Sequence, residues 1–537
     1  MSESQKTTRS LVSIATIVAA ATLISKVFGL VRQQVMAALF GVGAAIDAYN
    51  YAYVIPGFLL ILLGGINGPF HSAIVSALAK RDRSEAAPLI ETITTLVSGV
   101  LLLITLFMMA FSSPLIDLVA PGLSQTPAGL EIRAIAIQQL QIMAPMALFA
   151  GLIGIGFGTL NAADMYWLPS ISPLFSSVAL IGCLGVLAVY LGPKITTPQY
   201  ALLGGMVLAI GTLAGAILQW LVQLPAMWRS QLGRLRFRLN LKQPGVRDVM
   251  RVMIPATFSS GMLQINVYTD LFFASYIPQA AAAMAYSGLL VQTPLGIISN
   301  VILVPFLPIF SRLREPSDWP ELKTRIRQAL MLTALTMLPL SSVMVPLALP
   351  IVRVVYERYA FDLAASQFVA SVLMAYSVGM FVYLGRDVLV RVFYGLGDGE
   401  TPFRVSMVNI FLNAVLDFFL VKAFGAPGLV LATVGVNLLS MLMFLVLLDR
   451  KIGGLPWREW GFPLLGLTVG SLFAGLACWG TVWGTQQLLG TESFVVLLIE
   501  LCLATTVGLT VFAIFAMQMK LPEVDLLMSK VRQKISR

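Results

Sequence analysis

Apolar runs long enough to cross a bilayer recur along the whole chain, separated by short polar breaks. A membrane helix needs about 20 apolar residues. Fourteen stretches meet that length, at 10–40, 46–79, 86–112, 131–160, 165–192, 198–226, 248–276, 279–311, 323–353, 361–394, 401–424, 427–449, 461–486 and 493–518. The pattern predicts an all-α polytopic membrane protein with 14 transmembrane helices. Most connections are short, so consecutive spans pack as antiparallel neighbours. The longest polar segment, about 228–248, reads as a loop and is too short to fold alone.

Composition agrees. Of 537 residues, 58% are hydrophobic and 11% charged, with mean hydropathy +0.88, whereas a soluble domain carries about 25% charged residues. Cys183, Cys478 and Cys502 all fall in apolar runs and read as small core residues. The N-terminal "MSESQKTTRSLV" has a basic flank and no small-residue cleavage pattern, so it reads as the start of the first span.

The basic residues orient the spans. Alternate ends hold 27 of the 35 Lys and Arg, the opposite ends hold 5, and Lys26, Arg32 and Arg386 lie inside spans. Positive residues mark the cytoplasmic side, so both termini are expected there. The pI of 9.6 is therefore a topology signal. The basic cluster at 229–251 belongs to that signal, and no nucleic-acid partner is expected.

Six spans precede the basic loop and six follow it, with faint echoes in the same order. "AYNYAYVIPG" and "GPFHSAIVSALAKR" of span two match "AYSGLLVQTPLG" and "VPFLPIFSRLRE" of span eight. "FGTLNAADMYWLP" likewise matches "FYGLGDGETP". The expected organisation is two six-helix bundles plus a C-terminal pair: 1–227, a basic linker at 228–247, 248–450, and two further helices with a tail at 451–537. Duplicated bundles that rock about a central cavity are a transporter plan. Pro56, Pro69, Pro145, Pro169, Pro173, Pro255, Pro294, Pro305, Pro339 and Pro346 lie within spans, where each frees a carbonyl and invites a kink.

Polar residues inside the spans carry the chemistry. Lys26 and Arg32 are six residues apart, about 9 Å along a helix and roughly 120° around it. A cation at mid-bilayer costs about 2.5–3.5 kcal/mol even on lenient scales. Either both border a cavity that takes an anion, or Lys26 snorkels to the surface and Arg32 pairs with Asp47. A phosphate or pyrophosphate suits the guanidinium. A second group is acidic: Asp270, Asn413, Asp417 and Thr433 lie at similar depth from the outer ends of their spans. They could coordinate Na⁺, hold protons, or form an interhelical hydrogen-bond network.

Enzyme chemistry finds little support. His71 is the one histidine and reads as a packing residue, and no His/Cys ligand set or nucleophile–base motif is present. "GLGDGE" (395–400) follows no strand and reads as a turn. Gly466, Gly470 and Ala474 form a small-residue row that permits close helix approach. Glu500, in the last span, has no role in this scheme.

Several segments together are distinctive. "SKVFGLVRQQVMAALFGVGAAIDAY" (25–49), "APGL" (120–123), "QINVYTD" (264–270), "YSGLLVQTPLG" (286–296), "LPIFSRL" (307–313) and "FYGLGDGETP" (393–402) run in order across the chain. The sequence thereby resembles the MurJ/MviN family of lipid II flippases, within the multidrug/oligosaccharidyl-lipid/polysaccharide exporter superfamily. The resemblance implies alternating-access export of the lipid-linked peptidoglycan precursor across a bacterial inner membrane, for cell-wall synthesis and cell shape. It also implies contact with other cell-wall synthesis proteins, and Lys26 and Arg32 as pyrophosphate ligands. No cofactor is expected beyond Na⁺ or H⁺ as coupling ion. Three positions depart from the family pattern: Leu60 and Leu289 stand where arginines are expected, and Asn67 where an acid is expected. Lys26, Arg32, Asp47 and Asn67 are the expected substrate-binding residues. The departures leave a flippase for another undecaprenyl-linked saccharide open. A cation-coupled drug antiporter is disfavoured by the cations, and a glycosyltransferase by an outer loop (about 113–130) whose single acid is Asp117.

Overall fold

A computed structural model describes residues 3–65, 68–78, 83–230, 232, 236–240, 243, 245–262, 265–490 and 493–525. Among them every regular element is helical. In hydrocarbon no water is available to the backbone, so each spanning segment satisfies its own N–H and C=O groups by forming a helix. The chain begins with α1 (Glu3–Phe40), α2 (Ala44–Gly64), α3 (Pro69–Leu78), α4 (Arg83–Ala110) and α5 (Ser112–Val119). It continues with α6 (Pro127–Met143), α7 (Met146–Ala162), α8 (Trp167–Leu191), α9 (Ala201–Leu221) and α10 (Leu224–Ser230). Then come α11 (Val246–Met262), α12 (Ile265–Ala274), α13 (Ala280–Arg312), α14 (Trp319–Met344), α15 (Ala348–Tyr356) and α16 (Leu363–Val378). The last are α17 (Met380–Gly395), α18 (Glu400–Phe424), α19 (Ala426–Lys451), α20 (Trp457–Leu489) and α21 (Phe494–Gln518).

Among the described residues, eleven helices are long and apolar enough to span singly. The pairs α6/α7 and α16/α17, each bent by 42°, bring the number up to 13. The remaining expected span, 248–276, is carried by α11 and α12 on either side of residues 263–264, which lie outside the described set. Proline accounts for part of the segmentation. Pro145 stands at the α6/α7 bend, Pro346 lies between α14 and α15, and Pro69 opens α3. The α16/α17 bend falls instead at Gly379, where an added Cβ would run into Val434.

The chain packs as two compact units, Met1–Ala282 with Arg358–Phe361, and Ala283–Glu357 with Asp362–Arg537. In the first, α1 lies on α8, α2 on α6 and α7, and α8 on α9. The helices after the basic linker also pack here: α11 contacts α3, and its Val246, Val249 and Met253 join Ile74, Leu89 and Ile93 in one apolar cluster. Gly41 ends α1 in the left-handed region (φ +56°), and its N–H donates to the Ala37 carbonyl. The Ala360 N–H donates to Ala38 O at 3.0 Å, and Gly41 leaves room for that segment. In the second unit α14 is the central element, packed by α16, α17, α20 and α21, while α18 pairs with α19.

Polar contacts hold the loops. Arg133 donates to both Asp117 oxygens at 2.6 and 2.7 Å, and this pairing holds the Asp117 carboxyl below its ordinary range. The "GLGDGE" segment is a turn as expected. Its Asp398 accepts from Thr401 N (2.9 Å), Thr401 Oγ1 (2.8 Å) and Lys451 Nζ (2.6 Å). Burial alone would raise the Asp398 pKa, but these donors outweigh it and hold it at about 2.

Two outcomes follow. Gly154→Val places a side chain against the Leu63 carbonyl and should destabilise the α2–α7 contact by about 1–3 kcal/mol, read as a lowered thermal midpoint of the purified protein. A depressed carboxylate pKa stabilises above its ordinary value, 3.8 for Asp398, and loses that effect as pH falls towards about 2. Asp398→Asn should therefore lower the midpoint at pH 7, and the gap to wild type should close progressively below pH about 4.

Candidate binding sites within the membrane

The first site is built on α1 and α2. Arg32 lies eight residues before the end of α1, about 12 Å along its axis and inside the candidate span Ile17–Phe40; Lys26 lies about 9 Å further towards the N-terminus. Lys26 is exposed and Arg32 half-buried. Arg32 Nε is buried and makes no hydrogen bond, and neither does the buried Oε1 of adjacent Gln33. The Arg32 charge reaches the hydroxyls of Tyr49 and Tyr53 on α2. These rings stack at 5.2 Å with a 17° interplanar angle, and Tyr49 OH shares a 3.2 Å hydrogen bond with Thr212 Oγ1.

Asp47 does not neutralise Arg32. Its carboxylate is buried and accepts from the backbone N–H groups of Gln279 (3.2 Å) and Ala282 (3.0 Å), at the start of α13. It also lies in the first turn of α2. A carboxylate between two helix N-termini needs no cation, because the partial positive charge of the unsatisfied N–H groups stabilises it. Among the described residues no ion pair joins it to Arg32. The pairing that competed with a ligand role for Arg32 is therefore corrected, and Asp47 itself has both oxygens on backbone donors. Asn67 lies outside the described residues. Leu60 and Leu289, where cations are missing, are half-buried.

The second site centres on α18. Asn409, Asn413 and Asp417 recur every fourth residue, so they share one face, and all three are buried. Asn413 Nδ2 donates to Asp417 Oδ2 at 2.8 Å, and Asn409 Nδ2 donates to Ser440 Oγ of α19 at 2.8 Å. Thr433 Oγ1 donates to the Leu429 carbonyl (3.2 Å). Asp270 is half-buried on α12 in the first unit, whereas the other three belong to the second. The structure brings Asn413 and Asp417 together. Asn409 and Ser440 escaped sequence reading, although the four-residue spacing from Asn413 was visible.

Two further polar pairs join neighbouring helices. His71 Nε2 and Asn161 Nδ2 meet at 2.6 Å, and Gln486 Nε2 donates to buried Glu500 at 3.0 Å, tying α20 to α21. The three cysteines are free. Among the described residues no His/Cys/Asp/Glu group forms a metal-binding cluster.

Comparison with known proteins agrees with this arrangement. Residues 36–500 match the family model described as lipid II flippase MurJ. The protein named "Probable lipid II flippase MurJ" of Synechocystis sp. is 58% identical over 539 residues, covering 100% of both chains. A solved structure described as lipid II flippase MurJ in an inward closed conformation superimposes with TM-score 0.73 at 20% identity, covering 94% of this chain and 100% of that one. An inward-facing multidrug-resistance transporter of the MATE family matches with TM-score 0.57 at 14% identity, over 82% and 98% of the two chains. The last two likenesses bear on the fold.

The Asp47 cap has a measurable weight. Asp47→Ala should destabilise the protein by about 0.5–2 kcal/mol, seen as a lower thermal midpoint, and Asp47→Asn, which keeps one acceptor oxygen, should recover part of it.

Proposed function

The chain belongs to the lipid II flippase MurJ family, and we propose that it moves lipid II from the cytoplasmic to the outer leaflet of a bacterial inner membrane by alternating access. Arg32 is the observation that carries this reading. A guanidinium inside a span, with its Nε buried and unbonded and the nearby acid held by backbone, is a ready partner for an anion. A pyrophosphate offers oxygens to its donor fork. Lys26 adds a point charge on the cytoplasmic side, where the headgroup enters. No bond is made or broken in the cargo, so the chain acts as a carrier and not as an enzyme. Both termini lie in the cytoplasm on this reading, and the carrier works beside other cell-wall synthesis proteins.

The membrane potential supports outward movement. One charge across 100 mV is worth about 2.3 kcal/mol. A headgroup bearing roughly two negative charges gains about 4–5 kcal/mol on leaving an inside-negative cell. The empty carrier then needs its own return step. The buried Asn413–Asp417 pair offers hard oxygens, which fit Na⁺ or a proton, with Thr433 of the same unit as a further ligand. Cation binding there would neutralise the buried carboxylate and favour the reset.

A second reading follows from Leu60 and Leu289. With two expected arginines absent, the cargo on this reading is another undecaprenyl-linked saccharide.

Rescue of a bacterium depleted of its own lipid II flippase separates the two. Expressed wild type should restore lipid II on the outer face, and Arg32→Ala should lower that exposure at least about tenfold, equivalent to 1.4 kcal/mol. Well-expressed wild type that restores nothing selects the second reading. Asp417→Ala should slow the rescue. Transport indifferent both to replacing Na⁺ and to collapsing the proton gradient would remove the coupling role.

A further inference from the structure

Helix α17 is amphipathic inside the membrane. It buries Leu384, Val388, Leu389, Val392 and Phe393, the last against Phe444 at 5.5 Å between ring centroids. Its other face carries Tyr383, Arg386, Asp387, Arg391 and Tyr394, none fully buried. Arg386 lies nine residues from the end of the helix at Gly395, about 14 Å along its axis and inside the bent α16/α17 span. The Asp387 side chain is 49% exposed. A half-exposed carboxylate at that depth cannot face lipid tails without a cost of several kcal/mol. This face of α17 therefore borders water.

The cluster is short of negative charge. Arg386 Nη1 reaches Asp387 Oδ1 at 3.2 Å, but neighbours in a helix diverge by about 100° and this is a single contact. Arg386 Nε is buried and makes no hydrogen bond. Arg391 follows Asp387 by four residues on the same helix face, so two cations flank one acid. A guanidinium in a span with donors left over is the condition found at Arg32.

We propose that Arg386, with Arg391, is a second anion-binding station, which takes the phosphate or carboxylate oxygens of the cargo headgroup. The station rests on the flippase reading and extends it to a second residue of the chain.

The test is native mass spectrometry of the purified full-length protein titrated with lipid II, with phosphatidylglycerol as the control anion. Arg386→Gln should weaken lipid II binding about tenfold, and Arg386→Lys about threefold because a point charge replaces the fork. A second variant works on protein already folded: Arg386→Cys in a chain with Cys183, Cys478 and Cys502 replaced by Ser. A cationic methanethiosulfonate should restore binding where an anionic one does not. No reaction, equal effects of the two reagents, or an unchanged Kd in Arg386→Gln overturns the station. If Arg32→Ala still weakens binding in that case, the flippase reading stands without it. Equal weakening towards phosphatidylglycerol makes the cluster a bulk-lipid contact and also overturns the proposal. Wild type that binds no lipid II removes the flippase reading and the station together.

Discussion

Hydrocarbon offers no water to a polar group, and the architecture follows from that deficit. Each backbone N–H and C=O must find a partner within the protein, so the apolar stretches are helical. Each charge must find one too, or face a water-filled space. Asp47 and Arg32 show the two solutions within one unit. Asp47 is buried and needs no cation, because backbone N–H groups at the start of α13 hold its oxygens. Arg32 has no such arrangement and keeps a donor unbonded. A stable fold does not call for that; a carrier of anions does.

The same accounting sorts the other intramembrane polar residues. Glu500 has Gln486, and His71 has Asn161, so each ties neighbouring helices together. Asn409 has Ser440 across the α18–α19 contact. These are interhelical hydrogen bonds of the kind that join membrane helices. Asn413 and Asp417 bond to each other along one helix, which places two hard oxygens side by side in a buried position. Arg386 and Asp387 are adjacent on a polar face, in a geometry that cannot satisfy both. Positions that sequence pattern alone treats alike, as polar residues in spans, thus divide into helix ties and ligand candidates.

Breaks in the spans have two origins. Proline removes a donor and clashes with the preceding turn, so the divisions at Pro69, Pro145 and Pro346 could be read directly. The bend at Gly379 has no proline, and close approach to Val434 is the cause that restricts the position to glycine. That cause lies in a neighbour more than fifty positions away. The packing of α11 with the first unit has a similar origin. It depends on the match of Val246, Val249 and Met253 to α3 and α4, not on the basic linker that precedes them.

Length and apolarity of the runs, the alternation of Lys and Arg between loop ends, and the ordered motifs by themselves determined the helical class, the expected orientation and the family. Those features depend on transfer of residues between water and lipid, a property of local composition. Lys26, Arg32, Asn413 and Asp417 were legible as candidates for the same reason: polar residues are costly there. Which candidates remain available was decided by tertiary structure alone. Asp47 looked like the natural counter-ion of Arg32, being near it in sequence, yet its partners are Gln279 and Ala282, over two hundred residues away. Backbone donors at a helix start carry no side-chain signature, so no pattern in the sequence announces them.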